Sequence, residues 1–139
     1  MDTLFTRIIK RELPAEIVWE DGDFIAIMDI SPINPGHLLL IPKIEIDSIF
    51  DLPDSVFRRL WDITRWLQEP LRKATQSNRV AIAVEGFTIP HAHVHLVPVN
   101  GANELDPKRA KKAGVAELNI VATRIRSLLL KIPQNESAL

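Results

Sequence analysis

The feature that most constrains the fold is a short segment in which histidine alternates with apolar residues. Residues 90–96 read Pro-His-Ala-His-Val-His-Leu, so single apolar residues separate His91, His93 and His95. Residues two apart on a β-strand share a face. The three imidazoles should therefore project together, while the apolar row between them packs on a core. This pattern predicts a strand whose histidine face lies in a groove rather than in the interior.

The composition fits one domain over residues 1–139 and excludes several classes of protein. The chain has no cysteine, which excludes disulfides and thiolate zinc sites and agrees with a cytoplasmic protein. Its net charge is −1, with 17 basic and 18 acidic residues, so we expect no binding to nucleic acid polymers or to membranes. No apolar run approaches the roughly 20 residues of a membrane span. Residues 1–11 also lack the apolar region of a secretion signal.

Short apolar runs predict the strands of the fold. They lie at 17–20, 24–28, 37–41, 79–84 and 91–99. Asp21-Gly22 separates the first two runs and is a strong turn signal, so these strands should form a hairpin. The segment 29–36, rich in proline, asparagine and glycine, is expected to be a loop.

A long periodic pattern in the middle of the chain predicts a helix. It begins at Pro53-Asp54, and apolar residues recur at steps of three and four up to Leu71. Pro70 lies inside the pattern and should kink or end the helix near Glu69. The apolar face is wide enough to meet both the sheet and a second subunit.

The C-terminal part of the chain predicts a second helix. Segment 100–114 is polar and should be irregular, with a short helical turn around residues 107–112. Apolar residues from Leu118 to Ile132 then recur at helical spacing, with an end before Pro133 and a frayed tail from Gln134. Strands, helix, strands and helix in this order favour an α+β fold with an antiparallel sheet.

Three imidazoles on one strand face are costly without a function, because each buried and unpaired nitrogen costs roughly 1–3 kcal/mol. Metal binding is one use: two of the histidines could share an ion, and His37 could supply a third ligand. Phosphoryl or nucleotidyl transfer is the other, with a central imidazole that attacks phosphorus. Histidine has a pKa of about 6.5, so both protonation states are available. Spacing favours phosphate chemistry and leaves both uses open.

The histidine segment is one of several motifs that resemble a known family. Residues 91–97 follow the pattern His-φ-His-φ-His-φ-φ, where φ is hydrophobic, of the histidine-triad family of nucleotide hydrolases and transferases. Segments 2–5, 8–15, 19–21, 29–32 and 35–43 are similar to the Hint branch of that family in order and spacing. The resemblance covers roughly residues 2–100, while the C-terminal loop and helix at 101–139 add little to it.

The resemblance implies a fold, an assembly and a reaction. Each subunit should carry a five-stranded antiparallel sheet with helices, and the sheets of two subunits should join in a homodimer. The implied reaction is cleavage of a nucleoside 5′-phosphoramidate or related phosphoanhydride, without metal or cofactor, to a nucleoside monophosphate. Purine nucleotides such as conjugates of adenosine monophosphate are the expected substrates. The alternatives are a purine-nucleotide-binding protein without catalysis and, with less support, a histidine-ligated metal site.

The resemblance also implies roles for individual residues. His93 matches the nucleophile that forms a covalent nucleotidyl-imidazole intermediate. His91 and His95 match residues that contact the α-phosphate and help position the nucleophile, and His37 matches a fourth histidine that supports the triad. The matching nucleotide-binding residues hold the ribose (Asp29), the base (Ile30, Phe5, Ile8 and Leu13) and the leaving group (Thr88).

The loop before the triad departs from the family pattern. Relatives often have a longer loop there with glycine and glutamine, and an earlier asparagine that touches the phosphate or the leaving group. Here the segment 84–90 is short, with Phe87 at the glutamine position and Val84 at the asparagine position. A single transition-state donor is typically worth about 10²–10³ in rate. This loop therefore makes the leaving-group preference and the rate the least predictable properties of the site.

Overall fold

The computed structural model describes residues 1–130 and places helices against one five-stranded antiparallel sheet. The strands are β1 (Ile17–Glu20), β2 (Phe24–Met28), β3 (Leu38–Pro42), β4 (Arg79–Ala83) and β5 (Val94–Val99), in the order β1-β2-β3-β5-β4. The helices are α1 (Leu4–Ile9), α2 (Asp54–Thr75) and α3 (Val115–Leu130), with short 3-10 turns at Ile49–Asp51 and Pro107–Arg109. The predicted α+β class and five-stranded sheet are confirmed, and the homodimer stays a prediction.

The two central strands are covered on both faces. All five residues of β2 and all five of β3 are buried. Ala26 belongs to the apolar cluster that includes residues of α2 and α3, whereas Ile27 belongs to the cluster that includes residues of α1. Because successive strand residues point to opposite faces, burial on both faces requires the continuous apolar runs seen in the sequence.

β1 and β2 form the predicted hairpin, and the side chain of Asp21 shapes its turn. The Asp21 carboxylate accepts hydrogen bonds from the N–H groups of Asp23 and Phe24, each at 2.8 Å. Gly22 is not among the glycines with a positive φ. The turn therefore depends on the aspartate side chain rather than on a left-handed glycine.

Helix α2 continues through its internal proline, so of the kink or end expected near Glu69 the end is wrong. The helix passes Pro70 and ends only at Thr75, where Gln76 adopts a left-handed conformation with φ 53°. Leu67 and Leu71 flank the proline and are 1% and 0% exposed. Their packing against the sheet offsets the hydrogen bond that proline cannot make, since tertiary burial outweighs local propensity in most helices.

The strand predicted over 91–99 begins three residues late, at Val94. The backbone N–H groups of residues 91 and 92 form hydrogen bonds outside the sheet. The His91 N–H donates to the carbonyl of Ile89 at 2.8 Å, and the Ala92 N–H donates to the carbonyl of Ile46 at 2.7 Å. The alternation of faces nevertheless persists, because Ala92 and Val94 both belong to the cluster under α2 and α3. His91 and His93 therefore lie in a connection that leads into β5.

Other boundaries differ by one residue or lie outside residues 1–130. The strand predicted over 37–41 spans Leu38–Pro42, and the one predicted over 79–84 ends at Ala83. The predicted short turn appears as Pro107–Arg109, and the last helix is confirmed up to Leu130. The expected end before Pro133 and the tail from Gln134 lie outside the described residues. Within residues 1–130 no helix has the length and apolar character needed to cross a membrane.

Candidate active site

A cavity of about 630 Å³ lies on the α1 side of the sheet. It is bordered by the histidines and by residues of the apolar cluster that includes α1. Its walls come from α1, the ends of β2 and β3, the segment 83–89 and the loop that contains Leu105 and Pro107. All the residues predicted for the site except His91 line this cavity: Phe5, Ile8, Leu13, Asp29, Ile30, His37, Thr88, His93 and His95. The sequence motifs therefore converge on one place.

His93 is held in a single neutral tautomer. Its Nδ1 lies 2.7 Å from the carbonyl oxygen of His91. A carbonyl oxygen only accepts, so Nδ1 must carry the proton. The lone pair is then left on Nε2 of a ring that lines the cavity. Burial lowers the pKa of His93 by more than its hydrogen bond to the His91 carbonyl raises it, which keeps the ring neutral and nucleophilic at neutral pH.

His37 and His95 form a hydrogen-bonded pair whose proton position is also fixed. The backbone N–H of Ile33 donates to Nδ1 of His37 at 3.0 Å, so the His37 proton lies on Nε2. That Nε2 is 2.9 Å from Nδ1 of His95. His95 must therefore accept at Nδ1 and, when neutral, carry its own proton on Nε2.

Burial and neighbouring rings keep this pair neutral. Burial, with smaller contributions from His93 and His37, lowers the pKa of His95 to about 4. Burial also lowers the pKa of His37, against the opposing effect of the Asp29 carboxylate. His95 thus presents an Nε2–H to the cavity that can donate a hydrogen bond to a leaving group, and it can transfer that proton once the pair has taken up one more.

The rings form a continuous row along the cavity wall. Ring centroids are 5.1 Å apart for His37 and His95, 5.0 Å for His95 and His93, and 4.9 Å for His93 and Phe5. Phe5 also meets His91, at 5.7 Å. The prediction of one shared histidine face is thus confirmed for His93 and His95.

His91 does not lie in the groove, contrary to expectation. It is 0% exposed and is absent from the cavity lining. Its Nε2 donates to the carbonyl of Pro42 at 2.7 Å, and its Nδ1 is 2.8 Å from Oγ1 of Thr3. The cause is the late start of β5, because the backbone before Val94 lies outside the sheet and the His91 ring contacts Thr3 and Phe5 instead.

Asp29 combines a turn-capping role with a place at the cavity. Its Oδ1 accepts the Ser31 N–H at 2.8 Å, and its Oδ2 lies 3.5 Å from Nε2 of His37. One carboxylate oxygen therefore closes the turn after β2, while the other is near the histidine pair. The Asp29 side chain is 20% exposed, which leaves it accessible from the cavity.

Asp29, His37 and His95 are also the one set within residues 1–130 whose ligand atoms could surround a metal ion, all within 4.8 Å of one another. The hydrogen bonding does not suit that use. A neutral imidazole that binds metal through Nε2 carries its proton on Nδ1. Nδ1 of His37 instead accepts the N–H of Ile33, so a metal at Nε2 would place two N–H groups against each other. The donor set fits a hydrogen-bonded histidine pair better than a metal site.

The loop at 84–90 borders the cavity with Phe87 and Ile89 as its apolar side chains and Glu85 and Thr88 as its polar ones. Phe87 is 91% exposed and Val84 is 40% exposed, and Gly86 adopts φ 98°. Phe87 and Thr88 both line the cavity. The predicted departure from the family pattern thus lies at the site itself.

Sequence reasoning missed the groups that fix the histidine tautomers. Ile33 and Pro42 act through backbone N–H and carbonyl groups, which any residue type supplies, so no pattern of side chains could reveal them. Thr3 does act through its side chain, and it lies in the motif at 2–5, but spacing alone does not place it against His91, which is 88 residues away in the sequence.

Comparison with known proteins agrees with this geometry. The HIT domain family matches residues 10–102. The purine nucleoside phosphoramidase of Escherichia coli K12 is 32% identical over 117 residues, covering 80% of this chain and 96% of that protein. The adenylylsulfatase HINT3 of Arabidopsis thaliana is 30% identical over 102 residues, covering 70% of this chain and 52% of that protein. A crystal structure of a Hit-like protein from Bartonella henselae superposes with a TM-score of 0.82 at 26% identity, covering 91% and 96% of the two chains.

Proposed function

This chain belongs to the HIT family, and we propose that it is a nucleotide hydrolase in which His93 attacks the α-phosphorus of a nucleoside 5′-phosphate conjugate. The observation that carries the proposal is the tautomer of His93: its proton is fixed on Nδ1 by a carbonyl 2.7 Å away. Nε2 therefore offers a lone pair at the cavity. Burial lowers the pKa of the ring, so the nucleophile is available at neutral pH.

The proposed reaction has two steps. In the first, Nε2 of His93 forms a bond to phosphorus, and the bond from phosphorus to the leaving nitrogen or oxygen breaks. The His37–His95 pair enters this step with one extra proton, taken up with the anionic substrate. The leaving atom takes a proton from Nε2 of His95, and the pair, whose facing nitrogens are 2.9 Å apart, is left neutral. In the second step, water attacks phosphorus and gives a proton to the histidine pair. The bond between phosphorus and His93 then breaks, which releases a nucleoside monophosphate.

The nucleoside is proposed to lie against the remaining walls of the cavity. Asp29 would accept hydrogen bonds from the ribose hydroxyls through its Oδ2, which is not occupied by the turn after β2. The apolar residues that would enclose a purine base line the same cavity; they are Phe5, Ile8, Leu13 and Ile30. Ile30 is 61% exposed, as suits a side chain that closes over a ligand. Thr88 would contact the leaving group.

The relatives support a leaving group attached to the α-phosphate of a purine nucleotide. The Escherichia coli relative is a purine nucleoside phosphoramidase, and the Arabidopsis relative is an adenylylsulfatase. We propose phosphoramidates and related anhydrides of adenosine monophosphate as the substrate class. We also propose that the protein acts without a metal, as a homodimer in the cytoplasm.

Release of adenosine monophosphate tests this proposal. Native protein and His93→Ala would be compared on adenosine 5′-phosphoramidate, adenylyl sulfate, a dinucleoside polyphosphate and a nucleotide sugar, with and without a chelator. We expect native protein to cleave at least one of these, His93→Ala to be inactive on all, and the chelator to have no effect. No cleavage by native protein, or equal cleavage by His93→Ala, would overturn the proposal.

A second candidate is a nucleotide-binding protein that has lost catalysis. The observation that favours it is Phe87, which is 91% exposed and stands at the position where relatives often carry a polar residue. Isothermal titration with adenosine monophosphate separates the two candidates. Binding without turnover of any conjugate in the panel would favour the second.

A further inference from the structure

The segment that carries the proposed nucleophile lies outside the regular sheet, so something other than strand pairing must hold it. β5 begins at Val94, and the tautomer of His93 depends on the carbonyl of His91. If the His91 peptide rotated, that carbonyl would leave Nδ1, and either nitrogen of His93 could then carry the proton. The contacts that hold residue 91 in place therefore determine which nitrogen of His93 carries the proton and which is free to attack.

The ring of His91 is fixed at both nitrogens between two separate parts of the fold. Nε2 bonds to the carbonyl of Pro42 at the end of β3, and Nδ1 is 2.8 Å from Oγ1 of Thr3. Because the carbonyl accepts the Nε2 proton, neutral His91 must accept at Nδ1, and the Thr3 hydroxyl donates to it. His91 is 0% exposed, so its ring nitrogens are satisfied by protein partners rather than by bulk water.

Thr3 is itself held by a third part of the chain, through Glu45. One carboxylate oxygen of Glu45, Oε1, accepts the Thr3 N–H at 2.8 Å and the Thr6 hydroxyl at 2.7 Å. The N–H of Thr6 donates to Oγ1 of Thr3 at 3.2 Å, which caps helix α1. Thr6 gives its hydroxyl proton to the carboxylate, and the Thr3 hydroxyl donates to Nδ1 of His91 at 2.8 Å in preference to the Thr6 oxygen, which is 3.3 Å away.

We infer that Thr3 and Glu45 are positioning residues of this site: together they hold the His91 ring, and through its backbone carbonyl they fix which nitrogen of His93 can attack. Neither residue lines the cavity or touches the proposed substrate. The two hydrogen bonds from Thr3 and Thr6 lower the pKa of Glu45 to about 2. The Glu45 carboxylate therefore stays charged at neutral and mildly acidic pH.

The network also joins the nucleophile to the base-binding wall. Thr3 caps α1, and α1 carries Phe5, whose ring lies 4.9 Å from that of His93. The same hydroxyl therefore sets the position of the helix and the orientation of His91. A variant that loses this hydroxyl should disturb the attacking ring more than the affinity for nucleotide, because the other walls of the cavity remain in place.

The test compares Thr3→Val, which removes the hydroxyl at nearly constant shape, with Thr3→Ser, which keeps it. Ser48→Ala is the matched control, because Ser48 also caps a short helix by accepting a backbone N–H, that of Phe50, and its side chain is not part of the His91 hydrogen-bond network. We expect Thr3→Val to lower kcat about tenfold with KM within about threefold of native, Thr3→Ser to recover most of the turnover, and Ser48→Ala to behave as native. Glu45→Ala, a change at an exposed side chain, should act in the same direction as Thr3→Val and less strongly.

The inference rests on the proposed function for these rates, so a second readout is independent of turnover. Nitrogen-15 spectra of the imidazole rings report which nitrogen of His93 is protonated. We expect native protein to show one tautomer with the proton on Nδ1, and Thr3→Val to show exchange between two forms. Unchanged His93 signals in Thr3→Val, or an equal loss of turnover in Thr3→Val and Ser48→Ala, would overturn the inference. Inactivity of native protein would instead overturn the proposed function, and the spectra alone would then decide about Thr3.

Discussion

The two ends of the histidine row are built differently. At the open end, His95 and His37 line the cavity and bond to each other, with a nitrogen-to-nitrogen distance of 2.9 Å. At the closed end, His91 is fully buried and bonds to a backbone carbonyl and a hydroxyl. His93 lies between them and depends on both. Histidines with the same spacing in the sequence thus take different tasks, proton transfer at one end and placement at the other.

The largest difference between the two ends should appear in the rate. His95→Ala removes the proposed proton donor, so we expect kcat to fall by about 10²–10⁴, the range typical of a general acid. His91→Ala should cost only about tenfold, because the backbone carbonyl of residue 91 is retained and is merely less well held. Steady-state kinetics on the best substrate of the panel measures both variants. A larger rate loss for His91→Ala would reverse the assignment of tasks.

Stability should show the opposite order. His91→Ala leaves the Pro42 carbonyl without its donor and opens a void beneath α1, so we expect a loss of about 2–4 kcal/mol in the free energy of unfolding. His95→Ala lies at the cavity wall and should cost less than about 1.5 kcal/mol. Urea unfolding of both variants provides the measurement. Equal losses in the free energy of unfolding would show that His91 and His95 contribute equally to stability and would contradict this difference between the two ends.

Acidification should affect the open end first. The pKa of His95 is about 4 in the folded protein, against about 6.5 in an unfolded chain. The unfolded state therefore binds more protons between these values, and stability is lost as the pH falls from about 6.5 to about 4. We expect a loss of about 1–2 kcal/mol from this residue, discounted because its side chain is partly exposed.

Urea unfolding at pH 7.5 and pH 5 checks this expectation, with His95→Gln as the control. The control should lose less stability over that interval than native protein, because its side chain does not titrate. Burial also lowers the pKa values of His93 and His37, so kcat/KM should persist below the ordinary histidine pKa. A native slope equal to that of His95→Gln would rule out a depressed pKa at His95.

The smallest effect is expected at the loop that borders the open end. Phe87 is 91% exposed, so Phe87→Gln should change stability by less than about 0.5 kcal/mol. The added amide can donate to the leaving group, and we expect a gain of about threefold in turnover, since a donor on an unsupported loop realises only part of its possible contribution. The measurement is kcat for phosphoramidate and anhydride substrates. A fall in turnover would indicate that Phe87 itself contacts the leaving group.

How much of this the sequence could predict depends on what carries each interaction. The strand at 24–28 was predicted to the residue, because it is covered on both faces and its apolar pattern is strong. The strand at 17–20 was also predicted to the residue, because the turn signal at Asp21-Gly22 marks its end. The same pattern misplaced the start of β5 at His91, since the backbone bonds that divert residues 91 and 92 involve Ile89 and Ile46. Those partners leave no mark in the alternation of side chains.

The site was predicted to a similar degree. Residue types and motifs brought His37, Asp29 and His93 together correctly at the cavity. They could not distinguish His91 from His95, because both have the same place in the alternation. The difference arises from Thr3 and Pro42, which approach from distant segments of the chain, and only the folded arrangement reveals them.

The central claim is that Nε2 of His93 attacks phosphorus, and trapping of the intermediate tests it most directly. Native protein would be mixed with adenosine 5′-phosphoramidate, or the best substrate of the panel, and quenched in base within milliseconds, because a phosphorus bond to imidazole is labile in acid. Mass mapping of the peptides should then find one adenylyl group, on His93. Turnover without any adduct, or an adduct on His91 or His95 instead, would contradict the account.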